Sequence, residues 1–123
     1  MARVRSKNSR PEMVVRRLVF SLGYRYRLHA RDLPGHPDLV FRPRRKVIFV
    51  HGCFWHRHQL CPLARMPKSR LDFWQPKLEG NRLRDQRNRR DLAKAGWKVL
   101  TIWECQLKNP ERLEEIIKRF LDA

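Results

Sequence analysis

Four potential metal ligands constrain the fold of this chain more than any other feature of its sequence. Cys53, His58 and Cys61 form the pattern C-x4-H-x2-C, and Cys105 stands at the end of the strand-like segment "TIWEC". A structural zinc ion takes four nitrogen or sulfur ligands in a tetrahedron. One loop can supply three of them, and a distant residue can complete the set and tie two parts of the fold together. The pattern therefore predicts a structural zinc site.

Other interpretations of this cluster stay open at this point. The chain has three cysteines, which cannot all form internal disulfides, and an odd count favours metal binding or catalysis. Cysteine can equally be a small buried apolar residue. His51 and His56 flank the cluster, and either could be the fourth ligand or a structural histidine. The residue types thus indicate a metal site but leave its ligand set open.

The charge of the chain indicates a polyanionic partner. Its 123 residues include 29 Lys and Arg against 12 Asp and Glu, a formal net charge of +17. Such an excess usually accompanies nucleic acid binding, whereas a merely soluble basic surface normally carries less charge. The sequence has no long apolar run, strongly amphipathic basic helix or hydrophobic signal segment. We therefore expect a cytoplasmic nucleic-acid-binding protein without a membrane partner.

The apolar pattern predicts one mixed α/β domain over residues 1–123, with helices covering a central sheet. Two of the predicted strands, 38–41 and 46–50, flank a turn and are expected to form a hairpin. The predicted elements are a basic N-terminal arm at 1–9, helices at 11–23, at 82–95 and from 109 onward, and strands at 24–28, 38–41, 46–50 and 97–104.

The segment between the metal cluster and the basic helix is predicted to be largely irregular. Residues 62–80 contain three prolines and the aromatic residues Phe73 and Trp74, which favours a loop with a short helix. Asn81 suits the N-cap of the helix that follows, and Gly96 suits its end.

Three residues near the cluster suit phosphodiester hydrolysis. His51 and His56 lie at a strand end and on the cysteine-rich loop, where imidazole can take a proton from water or assist a leaving alkoxide. The hairpin would place Asp38 beside the end of "KVIFV", within reach of His51. A carboxylate there can bind Mg²⁺, although a lone aspartate at a strand start is usually a cap or turn residue. Together the three residues favour a metal-dependent hydrolase.

Aromatic residues stand among the histidines and arginines of the same region. Phe54, Trp55 and Trp74 could fill the core, but exposed aromatics in a basic protein favour stacking on bases or insertion between them. Trp97 and Trp103 lie on the most strand-like segment and are predicted to be core residues. The first three are therefore candidate DNA contacts.

Four motifs occur in order over about residues 1–107: "LPGHPDLVF", "VIFVHGCFWHRH", "DFWQPKLEGNRLRD" and "GWKVLTIWEC". In residues, order and spacing the chain resembles the very short patch repair endonucleases, bacterial enzymes that nick DNA beside a T:G mismatch. The resemblance implies a restriction-endonuclease-like fold, a variant of the PD-(D/E)xK core. Its central mixed sheet would be flanked by helices and accompanied by a structural zinc site.

The resemblance also implies a catalytic site. Asp38 matches the Mg²⁺-binding aspartate. Val50 stands where the family pattern has threonine, and its backbone carbonyl, which this change leaves in place, is expected as a second ligand. His51 and His56 match the catalytic histidines, and Glu12, on the first helix, matches a glutamate near the metal.

Two further sets follow from the same motif positions. The residues that match the structural Zn²⁺ ligands are Cys53, His58, Cys61 and Cys105. The residues that match those entering the duplex or lying close to the recognised bases are Phe54, Trp55, Trp74, Lys77 and Asn81. The zinc set agrees with the one indicated by residue types.

The resemblance therefore implies a zinc-stabilised, Mg²⁺-dependent enzyme that nicks one DNA strand 5′ to the T of a T:G mismatch, the product of 5-methylcytosine deamination. Its expected partners are the mismatched duplex and mismatch-repair proteins, and it is expected to be a monomer near the nucleoid. One alternative is a restriction or defence endonuclease of the same fold without mismatch specificity. Another is a non-catalytic zinc-stabilised DNA-binding module, which would need none of Asp38, His51 and His56.

Overall fold

Four strands and three α-helices build residues 9–123, the part of the chain that the computed structural model describes. The strands form one mixed sheet, so the predicted α/β class is confirmed, while the restriction-endonuclease-like assignment stays a prediction. In chain order the elements are α1 (Arg10–Ser21), β1 (Arg27–Leu28), β2 (Leu39–Phe41), β3 (Lys46–His51), α2 (Leu71–Lys94), β4 (Lys98–Trp103) and α3 (Pro110–Asp122).

The sheet brings the start of β2 next to the end of β3. The strand order is β1-β2-β3-β4, with antiparallel pairs except for the parallel pair β3–β4. The predicted hairpin of β2 and β3 is confirmed, with Leu39 opposite Ile48. A parallel pair needs a crossover connection, and α2 lies in the one between β3 and β4. Asp38, directly before β2, therefore lies beside the last residues of β3.

Helices cover both faces of the sheet, which explains why β3 reads as a continuous apolar run. The helices α1 and α3 pack on one face and α2 packs on the other. Strand residues alternate between the faces, so Ile48 contacts the α1–α3 side whereas Val47 and Phe49 contact the α2 side. The same alternation turns His51, which contacts Phe49, toward α2.

Side-chain caps begin α1 and α3 where the sequence predicts helix starts. The Ser9 hydroxyl accepts the Glu12 N–H at 3.4 Å, and the Asn109 side chain accepts the Arg112 N–H at 3.2 Å. Both predicted helices are therefore confirmed. The predicted basic arm, 1–9, lies outside the described residues except for Ser9, which belongs to the cap.

The helix α2 is longer than predicted and starts inside the segment expected to be irregular. It begins at Leu71, so the prediction of a loop over most of 62–80 is wrong, and Asn81 lies within the helix instead of capping it. Pro76 removes one helical hydrogen bond, but the fully buried Leu78 anchors this part of the helix. Tertiary packing thus overrides a local helix-breaking signal. Neither α2 nor any other helix within residues 9–123 combines the length and hydropathy of a membrane span.

The first strand is shorter than predicted. Only Arg27–Leu28 of the segment 24–28 pairs with β2, which itself has three residues. Tyr24 and Tyr26 instead pack against the core on the α1–α3 side. The first strand is therefore limited to the two residues that pair with Val40 and Leu39.

Close contact at Gly35 seats the loop before β2 against α2. Gly35 has φ +77°, a left-handed conformation that glycine adopts without strain. A Cβ atom at this position would lie 2.8 Å from Nδ2 of Asn88 on α2. The absence of a side chain thus lets the segment that carries Asp38 approach the helix that forms the opposite wall of the site.

Candidate active site and metal centres

One groove of about 1630 Å³ gathers all the predicted catalytic and DNA-contacting residues. Its walls are α1, the loop between β1 and β2, the end of β3 with the loop that follows, and α2. Motifs that are distant along the chain therefore meet on one surface. The predicted residues that line the groove are Glu12, Asp38, Val50, His51, Phe54, Trp55, His56, Trp74, Lys77 and Asn81.

Asp38 is held against the end of β3 by a backbone hydrogen bond. The Val50 N–H donates to Oδ2 of Asp38 at 2.7 Å. Asp38 therefore lies beside the end of β3, as the predicted hairpin required. Burial raises the pKa of Asp38 to about 7, the hydrogen bond from Val50 opposes this rise, and the charge of Glu12 adds to it. A cation bound beside Asp38 would favour its ionised form.

A second carboxylate and a histidine lie beside Asp38. Glu12 on α1 is 3% exposed; its Oε2 contacts the Arg16 guanidinium and lies 2.8 Å from Nε2 of His29. One ligand atom from each of Glu12, His29 and Asp38 lies within 4.8 Å of the others. The carboxylate oxygens suit a hard divalent cation. The sequence motifs indicate the two carboxylates but not His29.

His51 and His56 stack on each other, and Asp85 orients the second of them. The ring centroids are 3.8 Å apart and the planes differ by 5°. Nδ1 of His56 lies 2.5 Å from Oδ2 of Asp85 on α2. A carboxylate at Nδ1 keeps the ring proton there and leaves the Nε2 lone pair to accept a proton. The pair of His56 and Asp85 therefore has the arrangement of an oriented general base.

His51 contributes a buried, neutral imidazole. It is 6% exposed, and burial, reinforced by His56, lowers the pKa of His51 to about 3. Its Nδ1 is buried and has no hydrogen-bond partner within residues 9–123, which is uncommon for a buried polar atom. Stacked rings hold their lone pairs in parallel planes. The two histidines and Asp85 therefore do not converge on one metal ion, although their ligand atoms lie close together.

The predicted zinc ligands, in contrast, do converge. One ligand atom from each of Cys53, His58, Cys61 and Cys105 lies within 4.8 Å of the others. Sγ of Cys105 is 3.4 Å from Nδ1 of His58. A tetrahedron with Zn–S and Zn–N bonds of about 2.3 and 2.05 Å has a corresponding edge of about 3.6 Å. Burial raises the pKa of Cys53 to about 12, so its thiolate form needs a nearby cation. The donor set fits a metal ion.

Phe54, Trp55 and Trp74 form an aromatic cluster in the groove. Their ring centroids are 5.1, 5.5 and 5.8 Å apart, and Phe73 joins them 5.0 Å from Trp74. The three predicted residues are half-buried rather than exposed because they pack on one another, and they belong to neither core cluster. Phe73, which is 46% exposed, is a further member that the motifs do not assign.

Asn81 supports this cluster from the middle of α2. Its Nδ2 donates to the backbone carbonyl of Trp55 at 3.1 Å, which links the helix to the loop after β3. Lys77 lies one turn earlier and is exposed along the same groove. The two α2 residues predicted to lie near the recognised bases thus sit beside the aromatic cluster.

Trp103 connects the metal cluster to the histidine pair. Its ring stacks on His58 with centroids 4.1 Å apart and contacts the edge of His51 at 5.4 Å. Trp103 stands at the end of β4 and is half-buried, so its prediction as a core residue is wrong, whereas Trp97 is confirmed at 7% exposure. A metal ion at the cysteines would therefore brace the wall against which His51 packs.

Comparison with known proteins identifies the family. The family model described as DNA mismatch endonuclease Vsr matches residues 1–62. The type II nicking enzyme V.XorIIP of Xanthomonas oryzae pv. oryzae is 56% identical over 99% of this chain and 89% of its own. The DNA mismatch endonuclease Vsr of Escherichia coli is 38% identical over 94% of this chain and 73% of its own. The chain belongs to the Vsr family. The family predicted from the motifs is thereby confirmed.

In this member of the Vsr family, basic side chains from three segments line the groove. Arg31 comes from the loop before β2, Arg70 precedes α2, and Lys77 and Arg84 lie on α2. Lysine and arginine at the edges of a cleft neutralise DNA phosphates and orient the duplex. The groove therefore accounts for part of the +17 charge.

Asp85 is the main residue of this Vsr-family site to which the sequence prediction assigns no role, although it ends the third motif. Trp74, Lys77, Asn81, Asp85 and Asn88 recur at spacings of three and four, and all of them line the groove. That spacing puts them on one face of a helix. A helix predicted to begin at 82 hides this periodicity, and a continuous α2 reveals it.

Proposed function

We propose that this chain is a Mg²⁺-dependent DNA endonuclease that nicks one strand 5′ to the T of a T:G mismatch. The observation that carries the proposal is the single groove that joins a carboxylate cluster, an oriented histidine and an aromatic cluster. Vsr-family membership supports DNA cleavage, and one relative is named a DNA mismatch endonuclease and another a nicking enzyme. The mixed sheet is consistent with the restriction-endonuclease-like fold expected for the family.

Asp38, Glu12 and the backbone carbonyl of Val50 would hold the catalytic cation. Asp38 and Glu12 present carboxylate oxygens within 4.8 Å of each other. Oδ2 of Asp38 also accepts a hydrogen bond from the backbone N–H of Val50. A divalent cation bound there supplies charge neutralisation at the phosphodiester and lowers the pKa of water. The chain's own contribution is to hold the buried carboxylate of Glu12 close to the half-buried carboxylate of Asp38.

His56 accepts the proton of the attacking water. Asp85 at Nδ1 keeps the ring oriented and stabilises the imidazolium formed when Nε2 takes the proton. His51, neutral and stacked on His56, assists by restricting the orientation of the His56 ring. This division of roles follows from the different surroundings of the two histidines.

The aromatic cluster supplies mismatch selectivity. A T:G wobble pair stacks less well than a matched pair and is opened at lower cost. Unstacking a step costs a few kcal/mol, and each aromatic that stacks on a base returns about 1–3 kcal/mol. Phe54, Trp55 and Trp74 are already packed together beside the catalytic groups, so they lose little conformational freedom on insertion. Their stacking energy would offset the cost of opening a mismatched base pair but would be too small to offset the cost of opening a matched one.

Zinc is the metal that suits the cysteine cluster, because three thiolates and one imidazole in a tetrahedron are a structural zinc set. The ion would lock the loop that carries both the aromatic residues and His56. The protein is proposed to act as a monomer on mismatched DNA near the nucleoid. Mismatch-repair proteins are the proposed further partners.

A cleavage panel tests this function. Duplexes of one sequence, carrying T:G, other mispairs or no mispair, are labelled on each strand and incubated with the protein and Mg²⁺. We expect one cut, 5′ to the T, in the T:G duplex. Binding without cleavage of any duplex would contradict the proposal and favour a DNA-binding module.

A nicking enzyme without mismatch preference is the second candidate. It is favoured by the relatives V.XorIIP and V.NmeAIP, the latter 41% identical, whose names specify nicking and no mismatch. Equal cutting of all duplexes in the panel would select this candidate.

A further inference from the structure

His29 takes no part in the mechanism above, yet it lies inside the carboxylate cluster. Its Nε2 is 2.8 Å from Oε2 of Glu12, and its backbone N–H donates to the carbonyl of Asp38 at 3.3 Å. Its side chain is 14% exposed. A histidine in this position either donates a hydrogen bond to Glu12 or shares a cation with it.

The contact with Arg16 favours the shared cation. A guanidinium has only donors, and Nη2 of Arg16 lies 2.9 Å from Nε2 of His29, so this contact is a hydrogen bond in the tautomer whose Nε2 is the acceptor. In that tautomer the same nitrogen cannot also donate to Glu12. The 2.8 Å between Nε2 and Oε2 therefore separates two acceptor atoms. An octahedron with metal–ligand bonds of about 2.1 Å has an edge of about 3.0 Å. Two acceptors at this spacing, with a cationic group against both, have the arrangement of neighbouring metal ligands.

The backbone also holds His29 in an uncommon conformation. Its φ of 49° lies in the left-handed region, which histidine adopts more often than most residues and which concentrates at functional sites. The hydrogen bond from its N–H to Asp38 couples the end of β1 to the start of β2. The positions of the histidine and the aspartate are thus set by one pair of adjacent backbone segments.

We propose that His29 is a ligand of the groove cation together with Asp38 and Glu12, and that it makes this site prefer Mn²⁺ or Co²⁺ to Mg²⁺. The proposal rests on the proposed function in taking Asp38 as a ligand of the catalytic cation. Mg²⁺ favours sites made of oxygen ligands, whereas an imidazole nitrogen adds more affinity for transition metals. On binding, the cation replaces the Arg16 guanidinium at Nε2 and Oε2.

Pulsed electron paramagnetic resonance of bound Mn²⁺ tests the ligand directly. The sample is the full chain with its cysteine cluster loaded with zinc, so that added Mn²⁺ reports on the groove. We expect a nitrogen coupling typical of a coordinated imidazole in the wild type and its loss in His29→Gln. His36→Gln is the matched control, because His36 lines the same groove with a similar φ of 48° but lies outside the cluster. This control should keep the coupling.

Calorimetric titration measures the metal preference. His29→Gln should weaken Mn²⁺ binding by about tenfold or more, as expected when a group supporting a metal site is lost, and change Mg²⁺ binding much less. Equal weakening for both ions would overturn the preference. Absence of nitrogen coupling in the wild type, with Mn²⁺ binding still lost in Asp38→Asn, would overturn the ligand assignment even if His29→Gln failed to fold. Nitrogen coupling without cleavage of any duplex would support His29 as a ligand and refute the proposed nuclease function.

Discussion

Replacing Asp38 with asparagine should stabilise the protein against unfolding at neutral and alkaline pH, in buffer without added Mg²⁺ or Mn²⁺. Asparagine keeps the shape of the side chain and an oxygen that can accept the Val50 N–H. It removes the negative charge that burial disfavours. The substitution should therefore separate the cost of the buried charge from the hydrogen bond that positions it.

The pKa of Asp38 sets the size of this stabilisation and the pH range over which it develops. In the folded protein this pKa rises from 3.8 to about 7. At pH 3 and below, the carboxyl is largely protonated in both the folded and the unfolded states, and little cost arises. As pH rises toward 7 the unfolded chain loses the proton while the folded protein retains it, so the free energy of unfolding falls. A shift of about three units corresponds to up to about 4 kcal/mol.

Thermal unfolding between pH 3 and pH 8 measures this effect. Asp38→Asn should match the wild type at pH 3 and exceed its melting temperature by up to roughly 10–20 °C at pH 8, for a domain of this size. Asp32→Asn is the control, since Asp32 is exposed and the hydrogen bond from Arg42 lowers its pKa. That control should not be stabilised at pH 8. Parallel pH profiles for the wild type and Asp38→Asn would refute the assignment of a buried charge to Asp38.

Three other substitutions test separate parts of the site. Cys105→Ser should reduce the metal content measured by elemental analysis and lower the melting temperature, and full zinc with normal folding would exclude Cys105 as a ligand. Asp85→Asn should lower kcat by roughly 10²–10⁴-fold with little change in DNA affinity, because it removes the carboxylate that orients His56. Asp91→Asn, on the exposed side of α2, should leave kcat unchanged. Trp55→Ala should lower the ratio of T:G to matched cleavage at least about tenfold, or about 1.4 kcal/mol. Phe20→Ala, an exposed aromatic outside the groove, should not change that ratio.

Short-range signals predict most of the fold. The caps at Ser9 and Asn109 and the apolar stripes of α1 and α3 act within a few residues, and the β2–β3 hairpin closes over a short turn. The start of α2 depends instead on contacts between distant segments. Leu78 is buried in the fold and Trp74 packs on Phe54, and neither contact is visible in a segment that contains proline.

The candidate site likewise has some residues that the sequence indicates and others that only the folded structure brings into place. Cysteine, histidine and tryptophan are uncommon residues, so their grouping in the sequence indicates a metal site and candidate DNA contacts, while the four-ligand set follows from the family resemblance. Asp85 and His29 gain their places from geometry, because one orients His56 across the groove and the other meets Glu12 from a different element. An aspartate within a basic helix and a histidine before a turn have no local pattern that distinguishes them.

The most direct test of the account compares single-turnover cleavage of a T:G duplex by the wild type, Asp38→Asn and Asp32→Asn, with the matched duplex alongside. The wild type and Asp32→Asn should cut the T:G duplex 5′ to the T, at least about tenfold faster than the matched duplex, because the aromatic cluster offsets unstacking only at the mismatch. Asp38→Asn should bind both duplexes and cut neither. Cleavage by Asp38→Asn at the wild-type rate, or equal cleavage of the two duplexes by the wild type, would contradict a groove that both selects the mismatch and cuts beside it.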